Sequence, residues 1–224
     1  MIYGLIPIGG KGSRLSLPFP KEMLPQKGYS FYNPIANHVV EKMLLAGAEK
    51  IIFIHGQEFK KDVVSFFSAP HFIHCCQNSV GSAQVILEFY NNVKLRPDDV
   101  CLFGLPDTIF DGNPFIAMLQ IPSICAGLFT SDEPLSVDRL HIDKNKFMVR
   151  TPKTPENLDL FWGILKFAGS DINKFIEDGV FFVHTEIAEI LNLYSFQIVE
   201  GKKYIDIGTW GGYNRYLSEP YLYC

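Results

Sequence analysis

The chain has no apolar run approaching the roughly 18 residues that a bilayer-spanning helix needs. Its start, "MIYGLIPIGG", has no basic segment ahead of the apolar one, which a secretory leader requires. A soluble, cytoplasmic protein without a membrane partner is therefore expected. Positive charge is also short: among 224 residues, 20 lysines and arginines meet 24 aspartates and glutamates, for a net charge of −4. That balance argues against a nucleic-acid binder whose affinity rests on neutralising many phosphates. Cysteine is scarce, and Cys75, Cys76, Cys101, Cys125 and Cys224 make an odd number without C-x-x-C spacing. Reduced, mostly buried thiols follow rather than a disulfide framework. Internal repeats, low-complexity tracts and linker-like stretches are missing too. With 47% apolar residues, the chain at 1–224 reads as a single domain with one well-buried core.

What is present begins with alternation. "YGLIPI" (3–8), "KIIFIH" (50–55), "HFIHCC" (71–76), "DVCLFGL" (99–105) and "SICAGLF" (123–129) are apolar on successive residues, as strands buried on both faces are. Between them lie helical patterns. "NPIANHVVEKMLLAG" (33–47) places Asn33 as N-cap, Pro34 at the first helical position, Ile35, Val39, Met43 and Leu44 on one face, and Gly47 at the stop. Further helices are expected near 57–68, 82–92 and 113–120, and a parallel sheet covered on both faces follows. The second half differs. Residues 135–152 read as two strands around Asp143-Lys144-Asn145-Lys146, and 157–167 as another. Helical patterns return near 170–178 and 184–193, then a strand near 195–199 and a helix near 209–217.

Charge is concentrated at one place. In residues 9–27 four cations, Lys11, Arg14, Lys21 and Lys27, meet only Glu22, so this segment carries +3 and the rest of the chain −7. A local basic spot on an acidic protein suits a small anion. The segment "GGKGSR" (9–14) follows the first strand directly, and glycines there let consecutive N–H groups converge on an anion. It is no Walker A loop, because Lys11 precedes Gly12, and the dinucleotide pattern fails at Leu15. Pro18 and Pro20 then forbid an early helix. Two readings stand at this point: an anion held by loop amides with Arg14 and Lys21, or a glycine-rich turn with ordinary surface cations.

Two aspartates stand out likewise. Asp107 follows Pro106 at the carboxyl end of the apolar run 99–105, the sheet edge at which ligands of open α/β folds bind. Asp206 lies between apolar residues in "YIDIGTW", where an unpaired carboxylate would be costly. They are either turn and capping residues or the partners of a cation.

"IPIGGKGSRLSLPFPKEMLP" resembles the signature of the nucleotidyltransferases that join a sugar 1-phosphate to a nucleoside triphosphate, and "PKEMLP" is particularly similar to the uridylyltransferase branch acting on glucose 1-phosphate. The likeness continues, in family order, through "HVVEKMLLAGAEKIIFIHG", "NSVGSAQVI", "LFGLPDTIF", "NLDLFWGILKF" and "YIDIGTWGGYNRYL". It implies an α/β fold: a Rossmann-like three-layer α/β/α arrangement around a mainly parallel mixed sheet with small antiparallel additions. It implies transfer of a nucleotidyl group from UTP or dTTP to a sugar 1-phosphate, releasing pyrophosphate, with Mg²⁺ on Asp107 and Asp206. It also implies that Gly9, Gly10 and Gly12 contact nucleotide, Arg14 the leaving pyrophosphate, and Lys21 the α-phosphate and sugar phosphate. Gln77 and Gly81 would face a pyrimidine base, and Trp162 and Gly163 the sugar. A homo-oligomer is left open.

The sequence departs from the family in two places. Where many members carry an acidic residue and a lysine before a proline, Arg150 and Thr151 stand here, with Lys153 nearby. Either Arg150 or Lys153 substitutes at the sugar phosphate, or that phosphate is held differently. The interval from Arg14 to Lys21 is short, and resembles the cytidylyltransferases that activate other phosphate esters. A non-catalytic nucleotide-sugar-binding homologue is the third reading, motivated by Thr151. The end soon after 209–217 leads to the expectation of a minimal catalytic domain. His71, His74, Cys75 and Cys76 are not read as a zinc site, because alternate strand residues face opposite ways. The aromatic runs "SFYN" (30–33) and "FFVH" (181–184) are expected in the core.

Overall fold

Successive side chains of a strand face opposite sides of a sheet, so the run Ile51-Ile52-Phe53-Ile54 demands cover on both faces. The computed structural model, which describes residues 1–10, 12, 14–77, 81–130, 140–143, 146–149 and 160–219, provides it. Ile52 and Ile54 lie in one core cluster, Ile51 and Phe53 in another, and all four are 0% exposed. Full burial of each contributes roughly 1.5–3 kcal/mol, which outweighs any local preference of so short a segment.

The strands are β1 (Ile2–Ile8), β2 (Lys50–His55), β3 (Phe72–Cys76), β4 (Val100–Gly104), β5 (Thr108–Phe110), β6 (Cys125–Thr130), β7 (Leu140–Asp143), β8 (Lys146–Val149), β9 (Leu160–Ala168) and β10 (Gln197–Asp206). They join in the order β3-β2-β1-β4-β9-β6-β10-β5, with the β7–β8 hairpin attached through β9. β3, β2, β1 and β4 run parallel, as do β6 and β10. β9 runs antiparallel to both β4 and β6. A reversed strand thus sits inside the sheet as well as at its additions. β9 is antiparallel to the hairpin strand β7 that precedes it in the chain, and antiparallel neighbours need no crossover connection.

The helices are α1 (Ala36–Leu45), α2 (Lys61–Phe66), α3 (Ser82–Val93), α4 (Pro114–Met118), α5 (Gly169–Glu177), α6 (Ile187–Leu191) and α7 (Trp210–Ser218), with 3₁₀ turns at Lys21–Met23 and Val180–Phe182. Residues of α1, α2 and α4 fill one cluster, and residues of α3, α5 and α6 the other. Three layers result. A third, smaller cluster joins Leu15, Leu24 and Ile35 to Ile109, Ile205, Ile207, Tyr213 and Tyr216. It anchors the glycine-loop segment to β5, β10 and α7 at one end of the sheet. No helix among the described residues is long and apolar enough to cross a membrane.

Two expectations are corrected. α1 starts at Ala36, not after an Asn33 cap. Pro34 bridges Pro25, Gln26 N–H donates to Asn33 O, and Ile35 N–H donates to Leu24 O, so Asn33 and Pro34 are tied to the preceding segment and Ile35, already in the helical conformation, takes the cap position. The aromatic runs are only partly core: Phe181 is buried, but Phe31, Tyr32 and Phe182 are 69%, 51% and 92% exposed. Irregular segments have no period that directs every ring inward. Cys101 and Cys125 are buried and Cys75 and Cys76 half-buried, all four as free thiols.

Candidate active site

The loop leaving β1 opens the site. Gly9 lies so close to the turn after β2 that a side chain there would meet Gly56 N at 3.3 Å and the Gln77 amide nitrogen at 3.5 Å. Gly10 O accepts from Lys60 Nζ at 2.8 Å, and Leu15 N–H closes a turn on Gly12 O at 3.1 Å. Leu15 itself is buried, and its carbonyl accepts the Trp210 indole N–H at 3.1 Å. Arg14, one residue earlier, is exposed. Lys11 and Ser13 lie outside the described residues. The prolines delay helical structure to the 3₁₀ turn Lys21–Met23, which presents Lys21 beside Gly12.

The aspartates meet through strand pairing. Asp206 ends β10 opposite Thr108 of β5, and Ile207 N–H donates to Asp107 O at 2.8 Å. Both carboxylates turn toward Gly208: a side chain there would lie 2.8 Å from Asp206 Oδ1 and 3.2 Å from Asp107 Oδ2. Asp206 Oδ1 also accepts from Gly208 N–H at 2.7 Å. Lys21 Nζ forms an ion pair with Asp107 Oδ2.

The electrostatics follow from that crowding. Burial, reinforced by the negative charge of Asp107, pushes the Asp206 carboxyl above its usual range, while Gly208 N–H, Lys21 and Arg14 offset part of the shift. Burial alone would lower the proton affinity of Lys21, but Asp107, Glu22 and Asp206 more than reverse it, so the ammonium stays charged. Two carboxylates around one point carry more negative charge than the local donors satisfy. A hard divalent cation with substrate oxygens on its remaining positions fits that donor set.

Gln77 follows β3, with its backbone N–H on His55 O. Its side-chain carbonyl is buried and meets no hydrogen-bond partner among the described residues. An orphaned acceptor of this kind costs about 1–3 kcal/mol and marks a place where a ligand donor would be favoured. Gly81 caps α3 at φ +117°, and a side chain there would collide with the Thr185 carbonyl, which accepts Ala83 N–H at 2.9 Å. Gly163 of β9 is buried against the ring of Tyr204, whose hydroxyl is pushed well up in proton affinity by burial and then by Asp206 and Asp107. Lys153, Arg150 and Thr151 fall outside the described residues, as does the Trp162 side chain.

Gly9, Gly10, Gly12, Lys21, Asp107 and Asp206 thus converge at one sheet edge, with Arg14 within electrostatic reach of Asp206. Sequence reasoning missed three contributors. Lys60 and Glu22 brace the loop, and Trp210 ties Leu15 to the start of α7. Only Glu22 carried a signal, as the single acid in the basic segment.

No family model matches the chain, and no curated protein matches it either. Solved structures do. A Bacillus anthracis protein assigned as a glucose-1-phosphate thymidylyltransferase, in complex with sucrose, superposes with a TM-score of 0.77 at 23% identity, over 96% of this chain and 94% of that one. A UDP-glucose pyrophosphorylase complexed with UDP-glucose gives a TM-score of 0.72 at 18% identity, over 96% of this chain and 97% of that one. The chain has the α/β fold of these two structures. That fold agrees with the one that the sequence resemblance implies.

Proposed function

We propose that the protein transfers a nucleotidyl group from a pyrimidine nucleoside triphosphate, UTP or dTTP, to a sugar 1-phosphate in the cytoplasm, with Mg²⁺ held by Asp107 and Asp206. The observation that carries this reading is the placement of both carboxylates around one point beside Lys21, at the mouth of the glycine loop.

A phosphate oxygen of the sugar 1-phosphate attacks the α-phosphorus; the new P–O bond forms as the bond to pyrophosphate breaks, and pyrophosphate carries away the electron pair. Such displacement asks the protein for positioning and charge neutralisation rather than covalent participation. Mg²⁺, when bound, supplies positive charge at the α-phosphate. Loop amides at Gly9, Gly10 and Gly12 receive the triphosphate, and exposed Arg14 meets the pyrophosphate as it leaves. Lys21 moves its charge from Asp107 to the α-phosphate and the incoming sugar phosphate. The orphaned Gln77 carbonyl accepts from the base, and the Gly81 backbone meets the same base. The roles that the resemblance implies at the sugar fall to Gly163, Trp162 and Lys153.

The test is a matrix of pyrophosphate release over the nucleoside triphosphates and a panel of sugar phosphates, with Asp107→Asn as the blank. Release with UTP or dTTP supports the proposal. Release confined to CTP moves the assignment to a cytidylyltransferase, and no release in any combination leaves a nucleotide-sugar-binding protein.

A further inference from the structure

The ammonium of Lys60 holds two separate parts of the site at once. It donates to Gly10 O at 2.8 Å and to Glu22 Oε1 at 2.8 Å. Gly10 belongs to the glycine loop, whereas Glu22 is the neighbour of Lys21 on the 3₁₀ turn. Glu22 is 1% exposed, and its other oxygen has no partner among the described residues. Burial raises the proton affinity of that carboxyl, and Lys60 is the largest influence opposing the rise. Buried charges of this kind persist when a specific partner holds them.

Lys60 is itself fixed from behind. Its backbone N–H donates to His55 Nδ1 at 3.0 Å, which places the His55 proton on Nε2. That proton is donated to His74 Nδ1 at 2.9 Å, so His74 carries its own on Nε2 and donates to Phe67 O at 2.8 Å. The chain of donors runs one way, from Lys60 at the start of α2 across β2 and β3 to Phe67. Each member is satisfied only with both rings neutral.

We infer that Lys60 is a positioning residue that sets the spacing between the glycine loop and Lys21. For its catalytic meaning the inference rests on the proposed nucleotidyl transfer. Lys60 touches no reacting atom; it acts through Gly10 and Glu22. Misplacing a catalytic cation by about 1 Å costs on the order of 10²-fold in rate, so a strut joining the loop to the turn has a measurable purpose.

Three full-length variants test it: Lys60→Met, Glu22→Gln and the pair together. Lys60→Met leaves a buried unpaired carboxylate, which lowers the melting temperature; the double variant removes that charge and restores it. Turnover separates the roles. We expect kcat to fall roughly 30- to 100-fold in Lys60→Met, with a smaller change in KM, and to stay low in the thermally restored double variant. If kcat recovers along with the melting temperature, Lys60 is structural only and the inference is overturned. Amide hydrogen exchange provides a reading independent of the substrates. Faster exchange, about tenfold, confined to 9–15 and 20–24 in the double variant supports the strut, and unchanged exchange there overturns it. If wild-type protein releases no pyrophosphate while the loop still loosens, the proposed function fails and the strut stands.

Discussion

The carboxylate side and the cation side of the site are built differently. Asp107 and Asp206 sit on or beside the β5–β10 ladder, and the bond from Ile207 N–H to Asp107 O locks their separation. Lys21 and Arg14 belong to irregular chain whose geometry depends on side-chain tethers, namely Lys60 to Gly10 and Glu22, and Trp210 to Leu15. Ladder-set groups tolerate changes around them, because the sheet holds the backbone regardless. Tether-set groups inherit the fate of each tether. Substitutions on the two sides should therefore differ in whether function and stability move together.

On the ladder side, Asp107→Asn should cut pyrophosphate release by about 10³-fold or more while circular dichroism and the melting temperature stay near wild type. Near-normal turnover would sink the metal assignment. On the loop side, Lys21→Ala should cost roughly 10² to 10³-fold, whereas Lys27→Ala should cost little in rate. Lys27 Nζ donates to Tyr216 O at 3.1 Å and Leu217 O at 3.3 Å, so its loss should appear as about 1 kcal/mol of stability, read from urea unfolding. Equal effects on rate would mean that the wrong cation carries the chemistry. Between the two sides lies Gln77, and Gln77→Ala should raise KM for the triphosphate about tenfold with kcat nearly kept, as steady-state kinetics would report.

A further effect concerns pH. Burial, followed by the Lys42 charge, pushes His38 down to about 3, and burial, followed by His74 and Lys60, pushes His55 down to about 4, both from 6.5. Each ring is neutral in the folded protein where the unfolded chain binds a proton. Their contribution to stability is therefore complete above pH 6.5 and is lost as pH falls from there toward the folded values. Each contributes at most about 1.4 kcal/mol per pH unit. His38→Gln should flatten that decline in unfolding free energy between pH 6.5 and 4, and an unchanged slope would show that His38 does not titrate as described.

What sequence could reveal follows the same division. Runs such as Ile51 to Ile54 identified buried strands because burial on both faces leaves a local composition. The glycine loop, Lys21 and both aspartates were legible as residue types at strand ends. The meeting of Asp107 with Asp206 was implied by the family resemblance alone, since the register of β5 against β10 is a long-range pairing with no local trace. The reversal of β9 was hidden for the same reason. Lys60 looks like any surface lysine in "EFKKD", and only the fold brings it under Gly10. Phe31 and Tyr32 misled because hydrophobic composition was read as burial in a segment with no period.

The most direct test of the central claim is phosphorus NMR of UTP or dTTP with a panel of sugar 1-phosphates, run with Mg²⁺, with a chelator, and with Asp107→Asn or Asp206→Asn protein. The account predicts pyrophosphate and a nucleoside diphosphate-sugar signal in the wild-type sample with Mg²⁺, and in none of the others. Product formed equally well under chelation, or by either aspartate variant at near wild-type rate, would contradict it.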